Sequence, residues 1–337
     1  MSSKRVLVTG GAGFIGSHVV RELVDHDYIV DVIDDMRNGS LDALSDKNIK
    51  FRAVPVGMLR EFENLHKFED RAPGSVLVIE GDFASQEIIQ LTSEPRWETI
   101  FHLAAEPRVA LSVENPYLTN ETNVNSTLML IQAIRNKNVK FIFSSSSAVY
   151  GNCETLPVTL DTEPLPESPY GLQKLMIEQY LDLFGRLFGQ ESISLRYFNV
   201  YGPGQDGSSP YSTAVSAWCT ALKNNKSLRS DGDGTQTRDL VFVKDVARAN
   251  RLAAESRYKF QGDILNIGTE RAYSNNEIIE MLKVYFPDLK VTSAPRRAGD
   301  VPDTLAHIGD TILLLNWEPE VHFEDGLEQT LKWWGLK

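Results

Sequence analysis

The stretch Val6-Leu-Val-Thr-Gly-Gly-Ala-Gly-Phe-Ile-Gly-Ser-His18 decides the fold class of this chain. An apolar run, Val6–Thr9, is followed by glycines at positions 10, 13 and 16, and a segment with helical spacing opens among them. A glycine-rich turn between a strand and a helix lets a pyrophosphate approach the backbone, and the helix N-terminus favours its negative charge. The pattern therefore predicts a dinucleotide-binding βα unit with Gly10, Gly13 and Gly16 in its turn.

Strand-like runs alternate with helical segments along the first half of the chain. The runs are Val6–Thr9, Ile29–Ile33, Val76–Ile79, Ile100–Leu103 and Phe141–Ser144. This alternation predicts an α/β fold of the Rossmann type, a doubly wound parallel sheet with helices on both faces. Loops rich in Gly, Pro and Asp follow later, which predicts a smaller C-terminal α/β substrate lobe. We therefore expect a dinucleotide-binding domain over residues 1–192, with strand and helix additions from later segments, and a second lobe over residues 193–337.

The composition excludes several classes of partner. The chain has 337 residues, with 34 Lys and Arg against 46 Asp and Glu, a net charge of −12. A chain this acidic is a poor general binder of nucleic acid or anionic membrane, so we expect neither as a partner. No apolar run approaches the roughly 20 residues of a membrane helix, and the N-terminus does not resemble a signal peptide. Cys153 and Cys219 give neither a disulfide framework nor metal spacing, so we expect a cytoplasmic protein without a metal site.

Carboxylates follow two of the predicted strands at the expected cofactor edge. Asp34 ends the second strand, where an acidic residue can bind a ribose 2′-OH. A carboxylate there repels a 2′-phosphate, so the pattern favours NAD over NADP. Asp35 is adjacent and is a second candidate for the same role. Asp82, after the third predicted strand, is a candidate for the adenine edge.

Tyr170 and Lys174 are the candidate proton-transfer pair. They are four residues apart in Ser168-Pro-Tyr-Gly-Leu-Gln-Lys174, a spacing that places them on one face of a helix. The lysine charge would lower the pKa of the phenol from about 10, and the lysine can also bind a nicotinamide ribose. Upstream, Phe141–Gly151 is an apolar strand that ends in serines, at the edge where open α/β sheets bind ligands. A serine there can bond both a substrate hydroxyl and the tyrosine oxygen.

On these residues the chain resembles an extended short-chain dehydrogenase/reductase, and most closely the NAD-dependent UDP-sugar 4-epimerase family (UDP-glucose or UDP-N-acetylglucosamine 4-epimerase-like). The resemblance covers nearly the whole chain. The motifs that carry it are Thr9–Gly16, His102–Ala105, Asn123–Asn125, Phe141–Gly151, Tyr170 with Lys174, Arg196–Pro203, Gly232–Asp239 with Asp245, and Pro295–Asp300.

The resemblance implies a role for each matching position. Tyr170 would be the base, Lys174 its partner and Ser146 the catalytic hydroxyl. The implied cofactor contacts are Gly10, Gly13, Phe14, Ile15, Gly16, Asp34, Asp35, Asn38, Asp82, Phe83, Leu103, Ala104, Ala105, Asn123, Tyr170 and Lys174. The implied substrate contacts are Ser146, Tyr170, Asn199, Arg238, Arg297, Asp300 and Thr304. It further implies bound NAD, a UDP-sugar substrate held by the 193–337 lobe, and a homodimer built from helices in Thr122–Asn136 and Pro169–Phe188.

Two positions after Ser146 indicate which reaction of the superfamily is expected. Dehydratases carry an acid and a base there and decarboxylases a glutamate, whereas this chain has Ser147 and Ala148. Neither side chain titrates usefully, which favours 4-epimerisation through a transient 4-keto sugar. A UDP-glucuronate 4-epimerase, with Arg108 meeting the carboxylate, a 4,6-dehydratase and a decarboxylase remain alternatives. Thr304 leaves room for an N-acetylated sugar, so the choice among glucose, N-acetylated and uronic acid substrates stays open.

Three features depart from the family pattern. Gln173 replaces the usual serine of Tyr-x-x-Ser-Lys, and we expect little effect from it. His307 stands where an aspartate is common, which we interpret as a structural change near the pocket. The segment Leu41–Pro73 is longer than the family implies. It contains a strand-like run, Ile49–Val54, and we expect it to form a longer loop rather than a partner surface.

Overall fold

The computed structural model describes residues 4–45, 49–61, 71–207, 213–295 and 301–337. The strands of this part of the chain are β1 (Arg5–Thr9), β2 (Ile29–Asp34), β3 (Phe51–Pro55), β4 (Val76–Glu80), β5 (Thr99–His102), β6 (Lys140–Ser146), β7 (Ser192–Tyr197), β8 (Asn199–Tyr201), β9 (Leu228–Asp231), β10 (Thr237–Phe242), β11 (Gln261–Ile267), β12 (Ala272–Ser274) and β13 (Val291–Ala294). The α-helices are α1 (Phe14–Val24), α2 (Gln86–Thr92), α3 (Val109–Glu114), α4 (Pro116–Asn120), α5 (Ser126–Ala133), α6 (Pro169–Phe188), α7 (Ala214–Lys223), α8 (Val243–Glu255), α9 (Asn275–Tyr285), α10 (Gly309–Leu315) and α11 (Phe323–Trp333).

The main sheet has eight strands in the order β11-β7-β6-β5-β1-β2-β4-β3, and each neighbouring pair is parallel. The chain first winds outward from β1 through β2 and then returns to the other side of β1 with β5. Ligands of open α/β sheets bind at such a reversal, outside the carboxyl ends of the strands. The predicted doubly wound parallel sheet is confirmed, and the glycine-rich turn after β1 lies at its switch point.

Alternate residues of β1 point to opposite faces of the sheet, and both faces are covered by helices. Val6 and Val8 are fully buried in a core that also contains residues of α1 and α8. Leu7 is fully buried in a second core with residues of α2, α5 and α6. Burial on both faces explains why β1 is a continuous apolar run, as is typical of parallel strands.

The latter part of the chain both extends the main sheet and builds a smaller lobe. The predicted strand at Ile193–Tyr197 is β7, and β11 forms the edge of the sheet beside it. Two small sheets, β12-β10-β8 and β13-β9, pack with α7, α9 and α11 around a third core. The buried side chain of Trp218 is the largest in that core.

Within Leu41–Pro73, which we expected to form a longer loop, the strand-like run predicted at Ile49–Val54 corresponds to a strand of the main sheet. Phe51–Pro55 forms β3, an additional parallel edge strand that pairs with β4. The strand forms because Val54 is buried under the sheet while its neighbours Ala53 and Pro55 face solvent. Arg71 anchors the end of the segment, since its guanidinium pairs with the buried Asp31 carboxylate. Residues 46–48 and 62–70 lie outside the described part of the chain.

None of the helices among the described residues combines the length and the apolar character needed to cross a membrane.

Candidate active site

The glycine-rich turn leaves no room for side chains where the sequence predicts a pyrophosphate. Gly10 has φ +69°, and a Cβ there would lie 2.7 Å from the Ala104 nitrogen. A Cβ on Gly16 would lie 2.0 Å from the Gly10 carbonyl oxygen. Gly13 is the N-cap of α1 and provides no side-chain cap to the first helical turn, which contains Phe14 and Ile15. A close-packed turn beside an uncapped helix N-terminus fits the pyrophosphate of a dinucleotide.

Asp34 joins the end of β2 to the glycine-rich turn. One carboxylate oxygen accepts a hydrogen bond of 2.9 Å from the Ala12 N–H, and the other accepts one of 2.9 Å from the Met36 N–H. Burial raises the pKa of this carboxyl, while the two backbone donors act to lower it. A carboxylate has about four acceptor sites, so two bonds leave capacity for ribose hydroxyls.

The other predicted contacts near the adenosine end differ in their exposure. Asp35, Asn38 and Asp82 are exposed at the carboxyl edge of the sheet. The Asp35 carboxylate binds Arg37, which raises the pKa of that guanidinium. The Phe83 side chain is buried in the second core. Only the backbone of Phe83 is therefore left to face a cofactor.

The loop after β5 is hydrogen-bonded to Thr9, the last residue of β1, directly before the glycine-rich turn. The Leu103 N–H donates to the Thr9 carbonyl at 3.1 Å, and the Ala104 N–H donates to the Thr9 hydroxyl at 3.3 Å. Ala105 follows them and is half-buried. The predicted cofactor residue Asn123 is buried, and its amide binds the backbone of the same loop at Glu106.

The structure brings together the three predicted catalytic residues at the carboxyl end of β6. Ser168 caps α6 and places Tyr170 in its first turn, where the Tyr170 N–H donates to the Ser112 hydroxyl at 3.0 Å. The Ser146 hydroxyl lies near enough to the Tyr170 phenol to act to lower its pKa. The Lys174 ammonium lies 5.7 Å from the centre of the Tyr170 ring.

The pKa values of Tyr170 and Lys174 differ from the values that their spacing predicts. Burial raises the pKa of the Tyr170 phenol to about 12, although the hydrogen bond to Ser146 acts to lower it. Burial also lowers the pKa of Lys174 to about 7, and Glu178 acts in the opposite direction. The expected lowering of the phenol pKa by Lys174 is therefore wrong, because the pKa of Tyr170 lies above its usual value. The physical reason is that desolvation dominates both groups, and the ammonium donates to the Ser144 carbonyl at 2.6 Å.

Lys174→Met should stabilise the protein against unfolding, and by more at pH 7 than at about pH 9.5. The folded-state pKa of Lys174 is about 7, below the 10.5 of an exposed lysine, so unfolding takes up a proton between these values. The stability linked to this group is complete above the unfolded pKa and is lost as the pH falls through the folded pKa. The free energy of unfolding of the variant should exceed that of the wild type by a margin that grows as the pH falls. We expect this margin to increase by on the order of 3 kcal/mol between about pH 9.5 and pH 7.

Urea unfolding at the two pH values measures the effect of Lys174→Met. Lys137→Met, at an exposed lysine, serves as the control and should change stability equally at both. A Lys174→Met difference that does not vary with pH would show that the buried ammonium is not the cause.

Sequence reasoning missed a buried ion pair between the catalytic helix α6 and the strand β7. Glu178 and Arg196 are each almost fully buried, and their side chains form two hydrogen bonds, of 2.9 and 2.6 Å. Ser145 donates to the same carboxylate, and the guanidinium lies over the Tyr150 ring at 4.5 Å. The spacing of Glu178, one turn after Lys174 and two after Tyr170, was the available signal for a carboxylate on the catalytic face.

The predicted substrate residues of the smaller lobe meet beside β8 and β10. The Asn199 amide donates to the Thr304 hydroxyl at 2.9 Å. The Arg238 guanidinium donates to the carbonyls of Val301 and Pro302, at 2.7 and 2.9 Å. Arg238 therefore fixes the backbone of Val301 and Pro302, which precede Thr304 in the chain. The predicted contacts Arg297 and Asp300 lie outside the described residues.

The contacts of four further residues bear on the predicted reaction and sugar. Ser147 and Ala148 lie in a 3-10 turn directly after Ser146, and the Ala148 N–H donates to the Ser146 hydroxyl at 3.2 Å. The Arg108 guanidinium is bound in a bidentate manner by the Glu106 carboxylate, with two contacts of 2.7 Å. His307, the second departure from the family pattern, contacts Glu270 at 2.8 Å, and both side chains are exposed.

Comparison with known proteins agrees with this arrangement. The model of the NAD dependent epimerase/dehydratase family matches residues 6–268. The chain belongs to this family. The family model spans the glycine-rich turn, the serine strand, the Tyr170–Lys174 pair and Arg238, so these features lie within the matched region.

Solved structures of similar proteins cover the whole chain. A UDP-N-acetylglucosamine 4-epimerase from Methanobrevibacter ruminantium M1, in complex with UDP-N-acetylmuramic acid, is 35% identical with a TM-score of 0.85, covering 99% of this chain and 98% of that one. The UDP-glucose 4-epimerase of Thermotoga maritima, with UDP-glucose, is 34% identical with a TM-score of 0.85 and 98% coverage of both chains. The UDP-glucose 4-epimerase of Thermus thermophilus, in complex with NAD, is 29% identical with a TM-score of 0.82, covering 98% of this chain and 99% of that one.

Proposed function

We propose that this chain catalyses the NAD-dependent 4-epimerisation of a UDP-linked sugar. The observation that carries the proposal is the grouping of Ser146, Tyr170 and Lys174 at the sheet edge that also holds the glycine-rich turn. The similar structures named 4-epimerases support the same reaction.

The roles of the chain's own residues follow from this grouping. When bound, NAD supplies the acceptor and later the donor of the hydride at C4 of the sugar. Tyr170 takes the proton from O4 through the neighbouring Ser146 hydroxyl and returns it in the second half of the reaction. Lys174 links α6 to β6 through its hydrogen bond to the Ser144 carbonyl. When it is protonated, it also supplies positive charge beside the phenol.

The absence of titratable side chains at Ser147 and Ala148 restricts the chemistry to one carbon. Elimination or decarboxylation needs an additional acid or base near C5 and C6 of the sugar. The 3-10 turn that carries these two residues follows the catalytic serine directly. An apolar methyl and a hydroxyl at these positions favour epimerisation over the dehydratase and decarboxylase alternatives.

We assign the nucleotide sugar to the lobe over residues 193–337 and NAD to residues 1–192. Arg238 and Arg297 suit a diphosphate because a guanidinium offers permanent charge and forked donors. Asn199 and Thr304, which are bonded to each other at 2.9 Å, would line the sugar and nucleotide side with Asp300. The 4-keto sugar must rotate between the two half-reactions to present its opposite face. The diphosphate must therefore stay tightly bound while the sugar moves.

An uncharged hexose fits the site better than a uronic acid. The alternative of a UDP-glucuronate substrate relied on Arg108 as the partner of the sugar carboxylate. That guanidinium is already bound by Glu106 through two hydrogen bonds. Recruiting Arg108 for a uronate would leave the Glu106 carboxylate, which is largely buried, without its counter-charge.

A panel of substrates followed by ¹H NMR tests the proposed reaction. UDP-glucose, UDP-N-acetylglucosamine and UDP-glucuronate are each incubated with the enzyme. We expect at least one of the first two to convert to its C4 epimer, with no net consumption of NAD. Loss of the 6-hydroxymethyl signals or release of CO₂ would contradict the epimerase assignment, and exclusive conversion of UDP-glucuronate would contradict the preference for an uncharged sugar.

We also propose that the chain forms a homodimer through the helices beside the active site. Val113 on α3, Tyr117 on α4 and Leu172 on α6 are large apolar side chains with exposed fractions of 62%, 76% and 49%. Apolar patches of this kind on a soluble chain mark interaction sites. Sedimentation should give a species of twice the 37.8 kDa chain mass, and a monomer at micromolar concentration would contradict the proposal.

A further inference from the structure

We propose that Gln173 is a positioning residue that fixes the catalytic helix α6 to the cofactor-side loop Leu103–Glu106. The inference rests on the function proposed above. Gln173 lies between Tyr170 and Lys174 in sequence, and only 3% of its surface is exposed. The expectation of little effect from this departure does not take account of the contacts that the side chain makes.

Both ends of the Gln173 amide are bonded to buried partners on a neighbouring helical segment. Its oxygen accepts a hydrogen bond of 2.8 Å from the Asn123 amide. Its nitrogen donates one of 2.9 Å to the Thr119 hydroxyl. Asn123 and Thr119 are buried as well, with exposed fractions of 3% and 0%. Burial of all three side chains limits the replacement of a lost bond by water, although the Thr119 hydroxyl also donates to the Pro116 carbonyl at 3.2 Å.

Asn123 carries the connection onward to the loop after β5. Its oxygen accepts from the Glu106 N–H at 2.7 Å, and its nitrogen donates to the Glu106 carbonyl at 3.0 Å. The residue lies in a π-helical turn, Glu121–Asn125, between α4 and α5. Such turns occur frequently at functional sites because they redirect one side chain out of the regular helical register. The result is a continuous chain of contacts from the loop through Asn123 to Gln173.

A serine at position 173, the usual residue in the family pattern, is too short to make both contacts. It would leave one N–H of the Asn123 amide without its acceptor and remove the donor to the Thr119 hydroxyl, which keeps its contacts with the Asn115 and Pro116 carbonyls. Gln173 therefore gives this chain a link between helix and loop that a serine does not supply. The loop contains Ala104 and Ala105, which we predict to contact the cofactor, whereas the helix carries the base.

The relative position of these two elements matters for both halves of the reaction. The sugar C4 must face the cofactor while O4 stays within hydrogen-bond distance of Ser146 and Tyr170. Small displacements between reacting groups reduce the rate strongly because reaction requires a near-attack geometry. A link that joins the base-bearing helix to the cofactor-side loop holds this geometry in both half-reactions.

Gln173→Met tests the inference because it keeps the volume of the side chain and removes both hydrogen bonds. We expect kcat to fall about tenfold and the KM for the UDP-sugar to change by less than about twofold. The primary isotope effect on kcat, measured with deuterium at C4 of the sugar, should increase because hydride transfer becomes slower relative to other steps. The dissociation constant of NAD, measured by calorimetry on the refilled apoprotein, should increase about threefold or more, since the loop is less well held.

Two threonine variants provide a matched comparison. Thr119→Val removes one bond of the cluster and should change kcat and the isotope effect in the same direction as Gln173→Met, but by less. Thr330→Val makes the same replacement at a buried hydroxyl of α11, which donates to the Gly326 carbonyl at 2.7 Å. We expect the Thr330 variant to keep the kcat, isotope effect and NAD affinity of the wild type.

Wild-type values of kcat, isotope effect and NAD affinity in Gln173→Met would overturn the inference. A fall in kcat with an unchanged isotope effect and unchanged NAD affinity would also overturn it, because that result indicates a loss of folded enzyme alone. If the wild type epimerises no UDP-sugar, the proposed function fails, and the NAD dissociation constants of the variants then decide the inference by themselves.

Discussion

Tyr170→Phe should reduce turnover of the UDP-sugar by roughly a thousandfold while NAD stays bound. The substitution removes only the phenolic oxygen, which lies near the Ser146 hydroxyl and is the proposed acceptor of the O4 proton. The ring, its contact with Lys174 and the backbone bond to Ser112 are retained. Steady-state kinetics measures the loss of kcat, and the cofactor released on denaturation of the purified variant measures occupancy.

Tyr180→Phe is the matched control for this variant. Tyr180 lies on the same helix, ten residues after Tyr170, and is half-buried. We expect it to keep wild-type turnover. A Tyr170→Phe enzyme with more than about a tenth of the wild-type kcat would show that another group removes the O4 proton.

Gly16→Ala should abolish NAD binding. A Cβ at this position would lie 2.0 Å from the Gly10 carbonyl oxygen and 2.8 Å from the Gly11 Cα. Both are backbone atoms of the turn itself, so the clash can be relieved only by moving α1 away from the turn that should cradle the pyrophosphate. We expect the NAD affinity to fall by at least about a hundredfold, with a decrease in thermal stability.

Gly57→Ala provides the corresponding control for Gly16→Ala. A Cβ on Gly57 would meet no heavy atom within 4 Å, and the residue lies in the turn after β3. Its NAD affinity should equal that of the wild type. Normal NAD affinity in Gly16→Ala would contradict the placement of the dinucleotide on the glycine-rich turn.

The features that sequence reasoning predicted well depend on short-range spacing. The turn after β1 and the pairing of Tyr170 with Lys174 each involve residues within one or two helical turns, so periodicity alone locates them. The parallel sheet follows from the alternation of apolar runs and helical segments. The serines at the end of β6 follow from the rule that ligands bind at the carboxyl ends of parallel strands.

The features that sequence reasoning missed depend on contacts between distant segments. Gln173 meets Asn123 only because α6 packs beside the π-helical turn, and Glu178 meets Arg196 only because α6 covers β7. The direction of the Tyr170 pKa shift could not be predicted from spacing, because it is set mainly by the burial of the phenol. The strand-like run at Ile49–Val54 did indicate β3, but its pairing as the outermost parallel strand of the main sheet could not be read from so short a run.

Deuterium placed at C4 of the UDP-sugar tests the central claim most directly. The claim is that the hydrogen leaves C4 and returns to the same carbon from the opposite face, without exchange with water. NMR of the epimerised product formed in ordinary water should show deuterium fully retained at C4. Hydrogen from water at C4 of the product would contradict this account.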